Sequence, residues 1–143
     1  GAAKAIMEAL SSGGAHTRIY NRTYSRACEL AGSFENAEAI DIPLDDISQH
    51  TNGVDILINT AGFGHAGKTL NLGPGKDRLF YDISYGAAAA GGLRSAGQNG
   101  WRTLDGLGML VAQAAFSFHH WFDIMPETKP MLKICRAHLE SIA

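Results

Sequence analysis

The sequence predicts an α/β fold built on a parallel sheet, and three observations carry that prediction. Short runs rich in β-branched and aromatic residues alternate with stretches of helical periodicity along the whole chain. The run Val54-Asp55-Ile56-Leu57-Ile58-Asn59 is apolar almost throughout, as a parallel strand covered on both faces requires. After Gly106 and Gly108 no Gly or Pro follows until Pro126, and Leu107, Leu110, Val111, Ala114, Ala115, Phe118 and Phe122 recur at helical spacing.

From the start of the chain, 1–12 reads as a helix with a small apolar face of Ala2, Ala3, Ala5, Ile6, Ala9 and Leu10, stopped by Gly13-Gly14. A short strand at 17–20 leads to Asn21-Arg22-Thr23, where Thr23 is a candidate N-cap for a helix to about Ala31 with Ala27, Leu30 and Ala31 inward. A third short run, 37–41, is a strand candidate, and 43–49 reads as a helical turn or two before the strand at 54–59. Segment 60–75 is rich in Gly and aperiodic, hence a loop. Strands are expected at 78–84 and 101–104, with 93–98 helical between them. The last helix, about 127–142, would pack Met131, Ile134, Cys135, Leu139 and Ile142. Gly86-Ala87-Ala88-Ala89-Ala90-Gly91-Gly92 carries almost no side-chain information. It reads as a flexible linker, or as positions whose true side chains went unread.

The totals bound the function classes. At 143 residues, 45% hydrophobic and 18% charged, the chain is one globular domain's worth. A net charge of -2 offers no footprint for nucleic acid or an anionic membrane. Cys28 and Cys135 stand far apart and read as free thiols in a reducing compartment. With no apolar run of membrane-spanning length and no signal-peptide pattern, the profile is cytoplasmic.

The informative chemistry lies where strands end. In a dinucleotide-binding βαβ unit, glycines open the first helix, and the residue reading the adenosine ribose lies about 20 positions on. Gly1-Ala2-Ala3, a helix, and a strand ending at Asn21-Arg22 fit that distance. An NAD site would present Asp or Glu there, but 17–26 holds no acidic residue and three arginines, Arg18, Arg22 and Arg26. Arg22 and Arg26, four apart across a helix start, with the Thr23 hydroxyl, suit a dianionic phosphate. The alternative is that they merely solvate a surface. Asn59-Thr60-Ala61-Gly62-Phe63-Gly64 follows a strand at its carboxyl end, where open α/β sheets bind ligands, and Asp82 and Tyr85 end the next strand on the same edge. Tyr85 could offer a hydroxyl to a substrate or simply pack.

At the start of the long helix, Gly106 and Gly108 would let a flat ring approach bare backbone. Met109 and Gln113, four apart, would lie on one face above it. An ordinary core helix with a Gly-rich start is the competing reading. His119 and His120 are adjacent and diverge by about 100° on a helix, and His16, His50, His65 and His138 have no ligand spacing, so no metal is assigned. No Ser, His and Asp group has a nucleophile-elbow context.

Taken in order, Asn21-Arg22-Thr23-x-x-Arg26, Asp55-Ile-Leu-Ile-Asn59, Tyr81-Asp-Ile-Ser-Tyr85 and Asp105-Gly-Leu-Gly-Met-Leu-Val-Ala-Gln-Ala-Ala115 resemble shikimate dehydrogenase. The last motif is the specific one. The resemblance covers essentially the whole chain but only that family's C-terminal, NADP-binding half. It implies a Rossmann-like doubly wound parallel sheet and reversible reduction of 3-dehydroshikimate to shikimate with NADPH, on the way to aromatic amino acids. Gly1 and Ala2 would be the end of the phosphate loop. Asn21, Arg22, Thr23 and Arg26 would hold the adenosine 2′-phosphate, and Asn59, Thr60 and Ala61 would lie along the cofactor. Ile83, Gly106 and Met109 would surround the nicotinamide, with Tyr85 and Gln113 reaching the substrate. Ala61 replaces the family's usual Thr or Ser, His65 its frequent Met, and the 86–92 run a segment that usually carries Thr-Pro.

The resemblance also implies absences. The family's acid/base Lys and Asp sit in an N-terminal substrate domain, and Lys4 lies on the wrong helix to replace that Lys, so no catalytic residue is named here. The central first strand of the sheet is missing too. The expectation is therefore a fragment: 1–125 as a truncated NADP-binding domain, 126–143 as a C-terminal helix packing toward the missing substrate domain, and a homodimer as a further possible assembly. A non-catalytic dinucleotide-binding module and a quinate/shikimate dehydrogenase of broader specificity are the alternatives.

Overall fold

The computed structural model describes residues 1–42, 47–68 and 70–142. Along them run α1 (Ala2–Ser12), β1 (Thr17–Tyr20), α2 (Tyr24–Ala31), β2 (Ala37–Ile40), β3 (Ile56–Asn59), β4 (Leu79–Asp82), α3 (Ala87–Gln98), β5 (Arg102–Leu104), α4 (Leu107–Phe122) and α5 (Thr128–Ser141). Single 3₁₀ turns occupy Ser48–His50 and Phe63–Ala66, the second inside the segment expected to be plain loop. Of the helical turns expected over 43–49, positions 43–46 lie outside the described residues.

Each expected strand is present, and every pairing is parallel. β1 pairs with β2, Thr17 opposite Ala37, and β4 lies between β3 and β5, with Leu79 opposite Ile56 and Arg102. The sheet is nevertheless interrupted. Strand order is β1-β2 in one piece and β3-β4-β5 in the other, and among the described residues no strand joins them. Between the pieces lies a cleft of about 900 Å³, lined by Ile6, Met7 and Leu10 of α1, Ile19 of β1, and Leu57 and Ile58 of β3. The interruption falls where a missing central strand was expected. It also corrects one expectation: β3 is not fully covered, and Ile56 is 49% exposed, with no strand among the described residues paired to its outer edge.

The core sits beside the three-stranded piece. Ile47, Leu70, Leu72, Phe80, Ala96 and Trp101 pack together, with Leu57, Phe63 and Leu93 against them. Trp101 donates its ring N–H to the Gly73 carbonyl (2.8 Å), and the Arg78 guanidinium stands 5.9 Å from its ring centre while donating to the Thr51 carbonyl (2.9 Å).

Helices depart more from expectation than strands. The 86–92 run is not a linker: from Ala87 onward it is the first half of α3. Its small side chains allow close approach. Ala89 is fully buried, and a methyl added at Gly64 would collide with the Ala88 carbonyl, so the Phe63–Ala66 turn lies directly on α3. In α4 the buried stripe is narrower than the apolar pattern, comprising Leu107, Val111 and Ala115. Leu110, Ala114, Phe118 and Phe122 are exposed, the last two with ring centres 4.7 Å apart. Ile134 of α5 and Ile142 just after it are exposed rather than packed, while Leu139 approaches Gly86 after β4. The outward faces of α4 and α5 are not covered by the described residues, and Trp121 at the far end of α4 is 72% exposed. α4 stops at Asp123, which takes a left-handed conformation (φ 54°) that Asp tolerates. No helix among the described residues is long and apolar enough to cross a membrane.

Candidate functional site

Parallel strands put their carboxyl ends on one edge, so Asn59, Asp82 and Leu104 bring three loops together there. The expected site residues fall into two groups along that side of the molecule, one after β1 and one after β3, β4 and β5.

After β1, Asn21 accepts the Thr23 backbone N–H on Oδ1 (2.9 Å), which folds the chain into α2. Thr23 is the N-cap by position, but its hydroxyl makes no capping bond. The first turn of α2 carries no acidic residue, so the helix's positive pole is not neutralised from within. Arg22 and Arg26 are exposed, and neither guanidinium has an ion-pair or hydrogen-bond partner among the described residues. Arg18 is different. It pairs with Glu38 of β2 at 3.1 Å, which removes it from the cluster. Two guanidiniums without ion-pair partners among the described residues, at a helix start that carries no acidic residue of its own, fit a phosphate monoester. Gly1 and Ala2 are exposed at the start of α1, with open space at Gly1.

The second group is built around the ends of β3 and β4. Asn59 and Asp82 are both buried and opposite one another in register. Asn59 Nδ2 donates to Asp82 Oδ2 (2.9 Å), while Asn59 Oδ1 accepts the Ala61 N–H (3.1 Å). Thus Asn59, expected along the cofactor, bonds within the protein through both its side-chain oxygen and its side-chain nitrogen, and the former holds the Ala61 backbone. Asp82 Oδ1 accepts the Ser84 N–H (2.9 Å). Neither the pair nor its reach was evident from the sequence, where Asp82 stood only as a strand end. The available signal was that each apolar run, Ile-Leu-Ile-Asn and Leu-Phe-Tyr-Asp, closes on one polar residue.

Gly106 and Gly108 prove to differ. Gly106 is buried, gives its N–H to the Ser84 carbonyl (2.8 Å), and a methyl there would collide with the Ile83 backbone. Its lack of a side chain makes room for the Ile83 backbone. Gly108 faces open space. Asp105 Oδ1 accepts the Leu107 N–H (3.2 Å), and Met109, partly buried, and Gln113, exposed, stand one turn apart on α4. Ile83 is half-buried, and Tyr85 is 41% exposed beside them. Burial, reinforced by the Asp105 carboxylate, pushes the Tyr81 hydroxyl above its ordinary value. Among the described residues no three His, Cys, Asp or Glu groups are placed to hold a metal ion, and Cys28 and Cys135 are unpaired thiols.

Comparison with known proteins gives a consistent family. Residues 1–66 match the family model described as shikimate / quinate 5-dehydrogenase, and residues 106–136 match that of the shikimate 5′-dehydrogenase C-terminal domain. Over 141 residues the chain is 42% identical to a shikimate dehydrogenase (NADP(+)) of Hyphomonas neptunium, covering 99% of this chain and 52% of that protein. Among solved structures it is similar to 5-ketofructose reductase of Gluconobacter sp. strain CHM43 (30% identity, TM-score 0.76, 100% of this chain and 53% of that one). It is also similar to shikimate 5-dehydrogenase of Thermus thermophilus in complex with NADP(H) and shikimate (25% identity, TM-score 0.74, 93% and 50%). The chain spans about half the length of the curated relatives it matches.

Proposed function

We propose that the chain belongs to the shikimate dehydrogenase family and is the NADP-binding half of an enzyme interconverting 3-dehydroshikimate and shikimate. The observation that carries the proposal is the pair of guanidiniums, Arg22 and Arg26, without ion-pair partners among the described residues, at the start of a helix whose first turn carries no acidic residue. That arrangement suits the extra phosphate that separates NADP from NAD. Asn21 shapes the turn, Thr23 offers a hydroxyl, and Gly1 and Ala2 offer open backbone for the pyrophosphate. Thr60 and Ala61 border the cofactor, and Ile83 and Met109 give the nicotinamide an apolar wall beside the backbone that Gly106 holds. Tyr85 and Gln113 point polar groups toward the substrate. When bound, NADPH supplies the hydride, and the residues of this chain bind, align and shield.

The domain assignment follows from the same reading. Residues 1–125 form the nucleotide-binding unit, and 126–143 form a C-terminal helix whose apolar face packs toward a substrate domain that carries the acid/base residues. The exposed side of α4 and α5 is also where a second copy would meet the first. Two unpaired thiols and a biosynthetic role support a reducing, cytoplasmic location.

The test is to express the chain with the sequence that precedes Gly1 in its gene and follow NADP-dependent oxidation of shikimate, with quinate and NAD as parallel arms. Turnover with shikimate and NADP supports the reading. Cofactor binding without turnover on either acid leaves a non-catalytic module, and equal turnover of the two acids makes it a broader quinate/shikimate dehydrogenase.

A further inference from the structure

We propose that Asp82, acting through Asn59, is the positioning residue that holds the three carboxyl-edge segments of the site in one arrangement; the proposal rests on the nucleotide-binding reading above. Asn59 and Asp82 close neighbouring strands at the same register, and both are buried. The Ala61 N–H on Asn59 Oδ1 settles which end of the carboxamide is which, so Nδ2 must face Asp82. The carboxylate accepts that donor on one oxygen and the Ser84 N–H on the other. The Ser84 carbonyl in turn accepts the Gly106 N–H at the start of α4. One unbroken series of hydrogen bonds therefore joins the segment after β3, the segment after β4 and the start of α4. These carry Thr60 and Ala61, then Ile83 and Tyr85, then Gly106 and Met109.

The chemistry explains why these two residue types are needed. Three donors converge on the pair from inside and outside: the Ala61 N–H, the Ser84 N–H and the Asn59 amide itself. Three acceptor oxygens meet them, one from the carboxamide and two from the carboxylate. Apolar residues of similar size would fill the space but leave two backbone N–H groups without acceptors. α3 passes close to the pair: a methyl at Gly92 would come into contact with Asp82 Oδ2 at 3.4 Å. The contribution of the pair is direction, because it sets where the peptide planes of 60–61 and 83–84 point.

The donor count supplies its own test. Asp82→Asn leaves one oxygen for two donors. Asn59→Asp sets two carboxylates against each other. The double exchange Asn59→Asp/Asp82→Asn restores all three bonds, with the carboxylate now on β3 and the carboxamide on β4. In the full-length enzyme, Asp82→Asn is expected to lower kcat roughly 10- to 100-fold through misalignment, with the KM for NADP changed much less. The double exchange should recover most of the lost kcat and of the lost melting temperature. Full kcat in Asp82→Asn overturns the proposal, as does a fall in melting temperature with no fall in kcat, or a double variant no better than the worse single one. Should the unsubstituted enzyme show no turnover, the function reading alone falls. The same four proteins, read in melting temperature and NADPH affinity, then decide the pairing: recovery in the double variant supports it and no recovery overturns it.

Discussion

Gly106 and Gly108 stand two residues apart at the start of α4 and have opposite surroundings. Gly106 is pressed against the Ile83 backbone, whereas Gly108 looks onto open space. Gly106→Ala should therefore force the β4 and α4 segments apart and cost about 1–3 kcal/mol, measured as a lowered denaturation midpoint. Gly108→Ala should instead stabilise the protein without cofactor by up to about 1 kcal/mol, since Ala favours a helix more than Gly does. If the cofactor ring lies against α4 there, the same substitution should weaken NADPH binding in a titration. At the phosphate cluster, Arg22→Asp should weaken NADP roughly 10- to 100-fold, the loss of a charge-assisted hydrogen bond, with far less effect on NAD. Equal loss for both cofactors would mean that Arg22 does not read the phosphate. The arginines could be read from the sequence because their position and the missing carboxylate are local facts. The Asn59–Asp82 bond could not, because it links residues 23 apart that meet only once the register of β3 and β4 is known.

Among the elements, strands were legible and helix faces less so. Ile56–Asn59 and Leu79–Asp82 are apolar runs ended by polar residues, a pattern that needs no partner to be recognised. α3 begins in a run of Gly and Ala whose periodicity is invisible because nearly every side chain is the same size, and its helical state comes from packing. Its small residues let the Phe63–Ala66 turn and the Asp82 carboxylate come close. Gly64→Ala should accordingly be more damaging than an exposed-turn substitution. The expected outcome is a loss of about 1–3 kcal/mol by chemical denaturation, because neither backbone can yield easily. Leu110, Phe118, Phe122, Ile134 and Ile142 carry the right spacing for burial but lack an opposing surface among the described residues. Periodicity reports which face is apolar, not whether anything covers it.

At the scale of the molecule, the cleft of about 900 Å³ between the two sheet pieces is the dominant feature. Strand edges without partners expose backbone groups and invite mispairing. Residues 1–143 expressed alone are expected to bind an apolar dye and to exchange the amide protons of β1 and β3 quickly. A longer chain that supplies a strand between them should suppress both signals, and slow exchange at β1 and β3 in the short chain would contradict the open-edge description. The two tryptophans happen to divide the molecule between them. Trp101, 4% exposed, is sealed in the core beside Gly73 and Arg78, whereas Trp121, 72% exposed, stands out from the end of α4. Light emission from this protein is therefore expected to have a blue component shielded from acrylamide and a red component open to it. The first would report unfolding of the sheet, and the second would change when a domain or a second copy settles on α4 and α5, so one quenching experiment separates assembly from stability.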